Sequence, residues 1–214
     1  MKYMKINTLW KRDEKDKYNI IEGDYSKEEF ENIKYWHVTE KIDGTNIRVI
    51  YDGEGLQFKG RTSKSVVPAH LLKELQEIFK VEKVKEVFEG KKVILFGEGY
   101  GHKIQKCGNK YLQDDVSFCL FDVYVEHIWL KQDSIQDVAD RFSVKRAFQF
   151  GILQKGDIIN MVKDPTMSIL AEKELEIEGV VARSHPLMLF RDGTPIMFKL
   201  KVKDYRRLNG EKRR

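Results

Sequence analysis

Several charged side chains in this sequence stand where they could act on an anionic substrate. Lys41 lies in Glu40-Lys41-Ile42-Asp43-Gly44-Thr45-Asn46, ahead of the β-rich run Ile47-Arg48-Val49-Ile50-Tyr51. A lysine amine is nucleophilic only when neutral, and its free pKa is about 10.4. Nearby positive charge lowers that value. Near the other end of the chain, Met197, Lys199, Lys201 and Lys203 alternate with Phe198, Leu200 and Val202. In a strand the first set points one way and the second into a core. Three lysines on one face repel each other unless an anion lies across them, although a solvated edge strand guarded by lysines has the same spacing.

Four more positions carry similar alternatives. Glu98 follows the apolar run Val93-Ile94-Leu95-Phe96-Gly97, where a carboxylate at the mouth of a buried strand needs a partner or water. Phe121-Asp122 lies in an apolar strand, and core packing accounts for Phe121 as readily as ligand stacking. Glu178 ends an alternation in which Leu175 and Ile177 face in while Glu174, Glu176 and Glu178 face out, a pattern shared with any wet sheet face. Arg61 follows Phe58-Lys59-Gly60 at a strand end, as a surface arginine also would.

The elements that must hold these residues are read from periodicity. Ser26 with Glu29, ahead of Phe30 and Ile33, predicts a capping box and a short helix. Strands are predicted near 46–52 and 55–60, joined at Asp52-Gly53-Glu54-Gly55. Leu71, Leu72, Leu75, Ile78 and Phe79 recur at helical spacing, with Pro68 in the first turn, so a helix is expected near 67–80. Buried strands are expected at Val93 to Phe96 and Phe118 to Val125, and a helix capped by Ser134 bears Ile135, Val138, Ala139 and Phe142. Further strands near 157–162, 176–183 and 195–203 complete the pattern. Hairpins dominate, so the expected class is α+β, with antiparallel β-sheets and flanking helices.

Composition narrows the class of protein. With 214 residues, 41% hydrophobic and 34% charged, the chain can bury a core and is not disordered. No repeat or linker divides it, so a single domain, 1–214, is expected. A formal net charge of +5 favours an acidic partner such as nucleic acid. No apolar run reaches membrane-spanning length, and the start Met1-Lys2-Tyr3-Met4-Lys5 lacks the apolar stretch of a secretory signal. Cys107 and Cys119 form no zinc spacing, and the five histidines are scattered singly. These features fit a reducing cytoplasm and a monomer.

Taken in order, the pieces are Lys41-Ile42-Asp43-Gly44, Arg61, Gly97-Glu98-Gly99, Phe121-Asp122-Val123, Glu178-Gly179-Val180-Val181 and Lys199-Leu200-Lys201. This ordered set resembles the covalent lysyl-nucleotidyltransferase superfamily of DNA ligases, RNA ligases and mRNA capping enzymes. Within it the sequence is most similar to the phage-type RNA ligases that seal nicks in duplex RNA. The extended lysine motif from Glu40 to Asn46, the stretch Tyr100-Gly101-His102-Lys103-Ile104-Gln105-Lys106, and Phe198-Lys199-Leu200-Lys201 carry that finer likeness. Position 43 is Asp, where many close relatives carry His, while DNA ligases and other RNA ligases carry Asp; a minimal DNA ligase is the alternative. A nucleic-acid binding module without sealing activity is the third reading. Only 13 residues follow Lys201, so no C-terminal OB or helical domain is expected; the basic residues Arg206, Arg207, Lys212, Arg213 and Arg214 either grip phosphates or solubilise a tail.

The resemblance implies a nucleotidyltransferase (ATP-grasp-like) domain and a chemistry in three steps. Lys41 attacks the α-phosphate of ATP, releases pyrophosphate and carries AMP covalently. AMP passes to a 5′-phosphate, and a 3′-hydroxyl then joins to that end, in bacterial or phage-infected cells serving RNA repair. It assigns catalysis to Lys41, Lys199, Lys201 and Glu178. Nucleotide binding falls to Glu40, Asn46, Arg61, Glu98, Phe121, Lys199 and Lys201. In this reading Phe121 stacks on adenine, Glu98 accepts from the ribose hydroxyls and Glu40 reads the adenine amino edge. A magnesium or manganese ion is implied, held by Asp43 and Glu178.

Overall fold

A computed structural model describes residues 1–62 and 64–210. The chain opens with β1 (Asn7–Thr8), β2 (Trp10–Arg12), β3 (Ile20–Tyr25), α1 (Glu28–Asn32), β4 (Tyr35–Lys41), β5 (Thr45–Tyr51) and β6 (Leu56–Gly60). Next come α2 (Ala69–Ile78), α3 (Val81–Val87), β7 (Val93–Gly101), α4 (Gly108–Tyr111), β8 (Val116–Val125), β9 (Ile128–Trp129) and α5 (Gln132–Phe142). Last are β10 (Lys145–Arg146), β11 (Gln149–Gln154), α6 (Lys155–Lys163), β12 (Gly179–Ser184), β13 (Met197–Lys201) and α7 (Val202–Leu208).

These elements form two compact units. The first comprises Met1–Tyr3, Asp43–Ala147 and Leu170–Lys173. Its sheet runs β10-β8-β7-β5-β6, with β9 added to β8. All pairings are antiparallel except β10 with β8. Alternation along β5 sends Ile47, Val49 and Tyr51 into the core, where they meet Leu71 and Leu75 from α2, Phe79 just past its end, and Ile135, Val138 and Phe142 from α5. Each such side chain contributes about 1.5–3 kcal/mol by leaving water. The opposite face of the sheet is left to Asn46, Arg48, Phe96 and Glu98.

The second unit comprises Met4–Ile42, Phe148–Ile169 and the chain from Glu174 onward. Its sheet runs β1-β13-β12-β4-β11, antiparallel except for β1 beside β13. Trp36, Val38, Val180, Ala182, Phe198 and Leu200 share its core with Ile158 and Val162 of α6. Trp36 and Phe198 meet edge to face at 4.6 Å. Helix α7 is pinned by the fully buried Asp204, which pairs with Arg12 at 2.9 Å.

The α+β class and its mainly antiparallel sheets agree with the sequence reading, but several elements differ. The strand expected near 157–162 is helix α6. Its β-branched residues suggested a strand, yet Ile158 and Val162 are four apart and both buried, which is helical spacing. The strand expected to reach residue 203 stops at Lys201, and Lys203 lies in α7 rather than on the lysine face of β13. Strand β12 begins at Gly179, later than expected. The predicted capping box is absent: Lys27 occupies the cap position of α1, and Ser26 donates to the Thr8 carbonyl instead. Ser134 lies inside α5, whose cap position is Lys131, and Pro68 sits at the cap of α2 rather than within its first turn. Helix α3 was not foreseen. Lys212, Arg213 and Arg214 of the basic tail lie outside the described residues.

Candidate active site

In the second unit the geometry centres on Gly179. Strand register places it opposite Lys41 of β4 on one side and Lys201 of β13 on the other. A side chain here has no room, because a Cβ would lie 2.1 Å from the Leu200 carbonyl oxygen. The preceding residue, Glu178, accepts from both lysines: Lys41 Nζ lies 2.5 Å from Oε2 and Lys201 Nζ 2.5 Å from Oε1. Burial alone would raise the Glu178 pKa, but the charges and hydrogen bonds of Lys41 and Lys201 outweigh it and hold the carboxyl below its ordinary range. One carboxylate thus faces two ammonium groups. Lys199 is two residues from Lys201 on β13, on the face opposite the buried Phe198 and Leu200. It adds to the positive field without sharing the core.

Glu40 behaves differently from its neighbour Lys41. It is 3% exposed, and burial raises its pKa. The Ser168 hydroxyl donates to its Oε1 at 2.5 Å, and the Ile169 backbone adds a second hydrogen bond. Among the described residues its Oε2 is buried with no hydrogen-bond partner. A buried acceptor left unmade is costly, so this oxygen is suited to an incoming donor.

In the first unit, Asn46 and Glu98 are register partners on β5 and β7. Gly60 pairs with Ile47, which carries the exposed Arg61 to the Asn46 end of β5. The Asn46 Oδ1 is also buried without a partner among the described residues. The Asp43 backbone N–H donates to the Tyr111 hydroxyl at 3.2 Å, and Gln105 donates to the Gly44 carbonyl at 3.0 Å. Gly44 must be glycine for the chain to pass β7, since a Cβ would lie 2.3 Å from the Gly99 carbonyl oxygen and 2.8 Å from Glu98 Cγ.

Phe121 stands at a register shift in β8. Phe96 faces Asp122 and Gly97 faces Leu120, so Phe121 is the extra residue of a bulge. Its half-buried ring meets Tyr3 edge to face at 5.0 Å. Tyr3 also packs on Phe96 at 4.9 Å and donates to Asp122 Oδ2 at 2.8 Å.

Of the residues singled out from sequence, the second unit holds Glu40, Lys41, Glu178, Lys199 and Lys201, and brings Lys41, Glu178 and Lys201 into direct contact. The first unit holds Asp43, Asn46, Arg61, Glu98 and Phe121, and gathers Asn46, Glu98 and Arg61 at one strand end. Among the described residues no group of three or more His, Cys, Asp or Glu side chains is arranged to hold a metal. Ser168, Tyr3 and Tyr111 were missed by sequence reasoning. No local pattern marks them, because each acts through a partner distant in sequence.

This lysine-rich, mainly antiparallel architecture has clear relatives. A sequence model of the RNA ligase family matches residues 34–201, and the chain belongs to that family. No curated protein matches the sequence. Among solved structures, a variant of Naegleria gruberi RNA ligase with ATP and Mn superposes with a TM-score of 0.62 at 20% identity, over 84% of this chain and 52% of that one. The same enzyme with PPi gives 0.61 at 21% identity, over 84% and 52%. A further variant with AMP and Mn gives 0.62 at 20%, over 84% and 53%. At this identity the likeness establishes the fold. The chain spans about half the length of these relatives.

Proposed function

We propose that this chain carries the nucleotidyl-transfer chemistry of an ATP-dependent RNA ligase, with Lys41 as the nucleophile. The observation that carries the reading is the pairing of Lys41 and Lys201 with one carboxylate, Glu178, beside a glycine whose close packing lets the three strands approach. In the first step the Lys41 amine forms a bond to the α-phosphorus of ATP, and the bond to the bridging oxygen breaks as pyrophosphate leaves. AMP then passes to a 5′-phosphate end, and a 3′-hydroxyl displaces it.

Lys41 must lose a proton before attack. Glu178 is held too acidic to take that proton readily, so its pairing with Lys41 favours the charged, resting lysine. Lys201 and Lys199 tip the balance the other way, because neighbouring positive charge favours the neutral amine. They also offset phosphate charge, and phosphoryl transfer is mainly positioning plus charge stabilisation. A magnesium or manganese ion, when bound, would supply further positive charge to offset the phosphates. Asp43 and Glu178 would hold it through water, since oxygen donors suit both ions.

The buried, unpartnered Glu40 Oε2 and Asn46 Oδ1 fit a polar nucleotide. Glu40 accepts from the adenine amino group, Glu98 from the ribose, and Asn46 and Arg61 hold ribose or phosphate. Phe121 stacks on the base, with its ring supported from the side by Tyr3. The extended lysine motif and the Tyr100–Lys106 stretch support nick sealing in RNA repair, of the phage type. A cytoplasmic protein acting on nucleic-acid ends fits the charge and cysteine content; no helix among the described residues is long and apolar enough to cross a membrane.

Covalent labelling tests the reading. Purified protein, verified free of prior adenylylation, is incubated with magnesium and ATP labelled at the α-phosphate, beside labelled GTP. A labelled band from ATP that vanishes in Lys41→Ala is expected. Lys41→Ala should still seal a pre-adenylylated end, because the lysine's task is then complete. Absence of label from either nucleotide would overturn the reading. Nicked RNA and DNA duplexes tested side by side separate an RNA ligase from a minimal DNA ligase.

A further inference from the structure

We infer that Ser168 is a positioning residue that sets the preference of this site for adenine over guanine, by fixing Glu40 as a hydrogen-bond acceptor. The inference deepens the ligase reading and rests on Glu40 facing the base.

Ser168 is 8% exposed and is itself held in place: its N–H donates to the Leu175 carbonyl at 2.8 Å, and the neighbouring Met167 forms an antiparallel bridge with Glu176. Its hydroxyl donates to Glu40 Oε1 at 2.5 Å. That bond spans 128 residues of sequence, so it is a tertiary contact and not a local turn. With Oε1 engaged, the carboxylate plane is fixed, and Oε2 is the oxygen left without a partner.

The two purine bases differ at this edge. Adenine presents an amino donor at C6, and guanine a carbonyl acceptor. An ionised Oε2 attracts the first and repels the second. A protonated Oε2 would instead donate to the guanine carbonyl. Burial pushes Glu40 toward protonation, while Ser168 and the Ile169 backbone act in the opposite direction. Ser168 thus both aims the carboxylate and keeps it an acceptor. Without the hydroxyl, the carboxyl can rotate and take up a proton, and both changes favour guanine at adenine's expense.

The test compares equilibrium binding and lysyl-nucleotide formation for ATP, GTP and purine-riboside triphosphate, which lacks the amino group. The proteins are wild type, Ser168→Ala, and the near-isosteric pair Ser168→Thr and Ser168→Val. In Ser168→Ala the advantage of ATP over both competitors should shrink about tenfold, the scale of one hydrogen bond to a charged group. Ser168→Thr should retain the preference and Ser168→Val should lose it. A purely structural role would lower all three nucleotides together and leave the ratios unchanged. Unchanged ratios, or Thr and Val variants that behave alike, would overturn the inference. The Thr and Val pair decides the matter if the alanine variant fails to fold. A wild type that discriminates in binding but forms no lysyl-nucleotide would defeat the ligase reading alone; a wild type without base preference in binding would defeat the Ser168 assignment.

Discussion

The Lys41 ammonium and the Glu178 carboxylate meet at 2.5 Å although 137 residues separate them. The same carboxylate holds Lys201. Glu178→Gln keeps the shape and removes the charge that positions both lysines and, in the proposed chemistry, helps to hold the metal ion. Lysyl-AMP formation should fall by about two orders of magnitude, as when a placed electrostatic group is lost from an active site. Labelling with α-phosphate-labelled ATP reads this, and urea unfolding separates it from a loss of fold. An unchanged labelling rate would remove Glu178 from the chemistry.

Two carboxyl groups of the second unit are shifted in opposite directions from their ordinary value. Glu178 is held below its ordinary 4.5, so it contributes stability at neutral pH that is lost only as pH falls from 4.5 through the folded value. Glu40 is raised above 4.5 by burial, so its ionisation costs stability as pH rises past 4.5. Glu40→Gln should therefore unfold at higher urea than wild type at neutral pH while losing its preference for ATP. Below 4.5 the two proteins should converge. Unfolding midpoints across pH 3 to 8, roughly the range over which carboxyl groups titrate, check both signs. A neutral-pH loss of stability in Glu40→Gln would contradict the assignment.

Much of this site was legible because its residues sit at strand ends next to apolar runs. Lys199 and Lys201 follow from alternation and Glu98 from the apolar run before it, whereas Lys41 was singled out by the ordered set that resembles the nucleotidyltransferase superfamily; Phe198 and Leu200 do enter the core. Glu178 looked like a wet-face acid, since alternation alone cannot reveal that two lysines converge on it from neighbouring strands. Phe121 was legible as an aromatic in a strand, but the bulge that presents it was not, because a bulge is defined by a partner strand. Ser168 and Tyr3 carried no signal, as their partners lie 128 and 119 residues away. Helix α6 was misread because its isoleucines and valine favour strands in isolation, whereas the burial of Ile158 and Val162 decides the outcome.

Tyr3 links the start of the chain to the residues beside Phe121. Its hydroxyl donates to Asp122, which is fully buried, so Tyr3→Phe removes a buried hydrogen bond to a carboxylate. The expected cost is about 1–3 kcal/mol of unfolding free energy. The phenyl ring would remain against Phe121 and Phe96, so ATP labelling should change little. Tyr3→Ala removes the ring as well, and should weaken ATP binding by loosening Phe121. Urea unfolding and nucleotide titration distinguish the two effects. Equal ATP binding in both variants would show that Tyr3 does not support the Phe121 ring.

Gly179 gives the sharpest test of how backbone geometry sets the charge cluster. A Cβ at this position would lie 2.1 Å from the Leu200 carbonyl oxygen and 2.8 Å from the Lys201 Cα, both backbone atoms that cannot rotate aside. Gly179→Ala must therefore push β13 away from β12, at a cost of about 1–3 kcal/mol. The displacement falls on Lys201, its register partner, and on Glu178, its neighbour in sequence. Labelling should drop further than the folded fraction does, because a shift of about 1 Å in a reacting geometry can cost about a hundredfold in rate. Measured at a temperature where circular dichroism shows the variant fully folded, a labelling rate equal to wild type would mean that the Glu178 contacts tolerate the shift and that Gly179 serves packing alone.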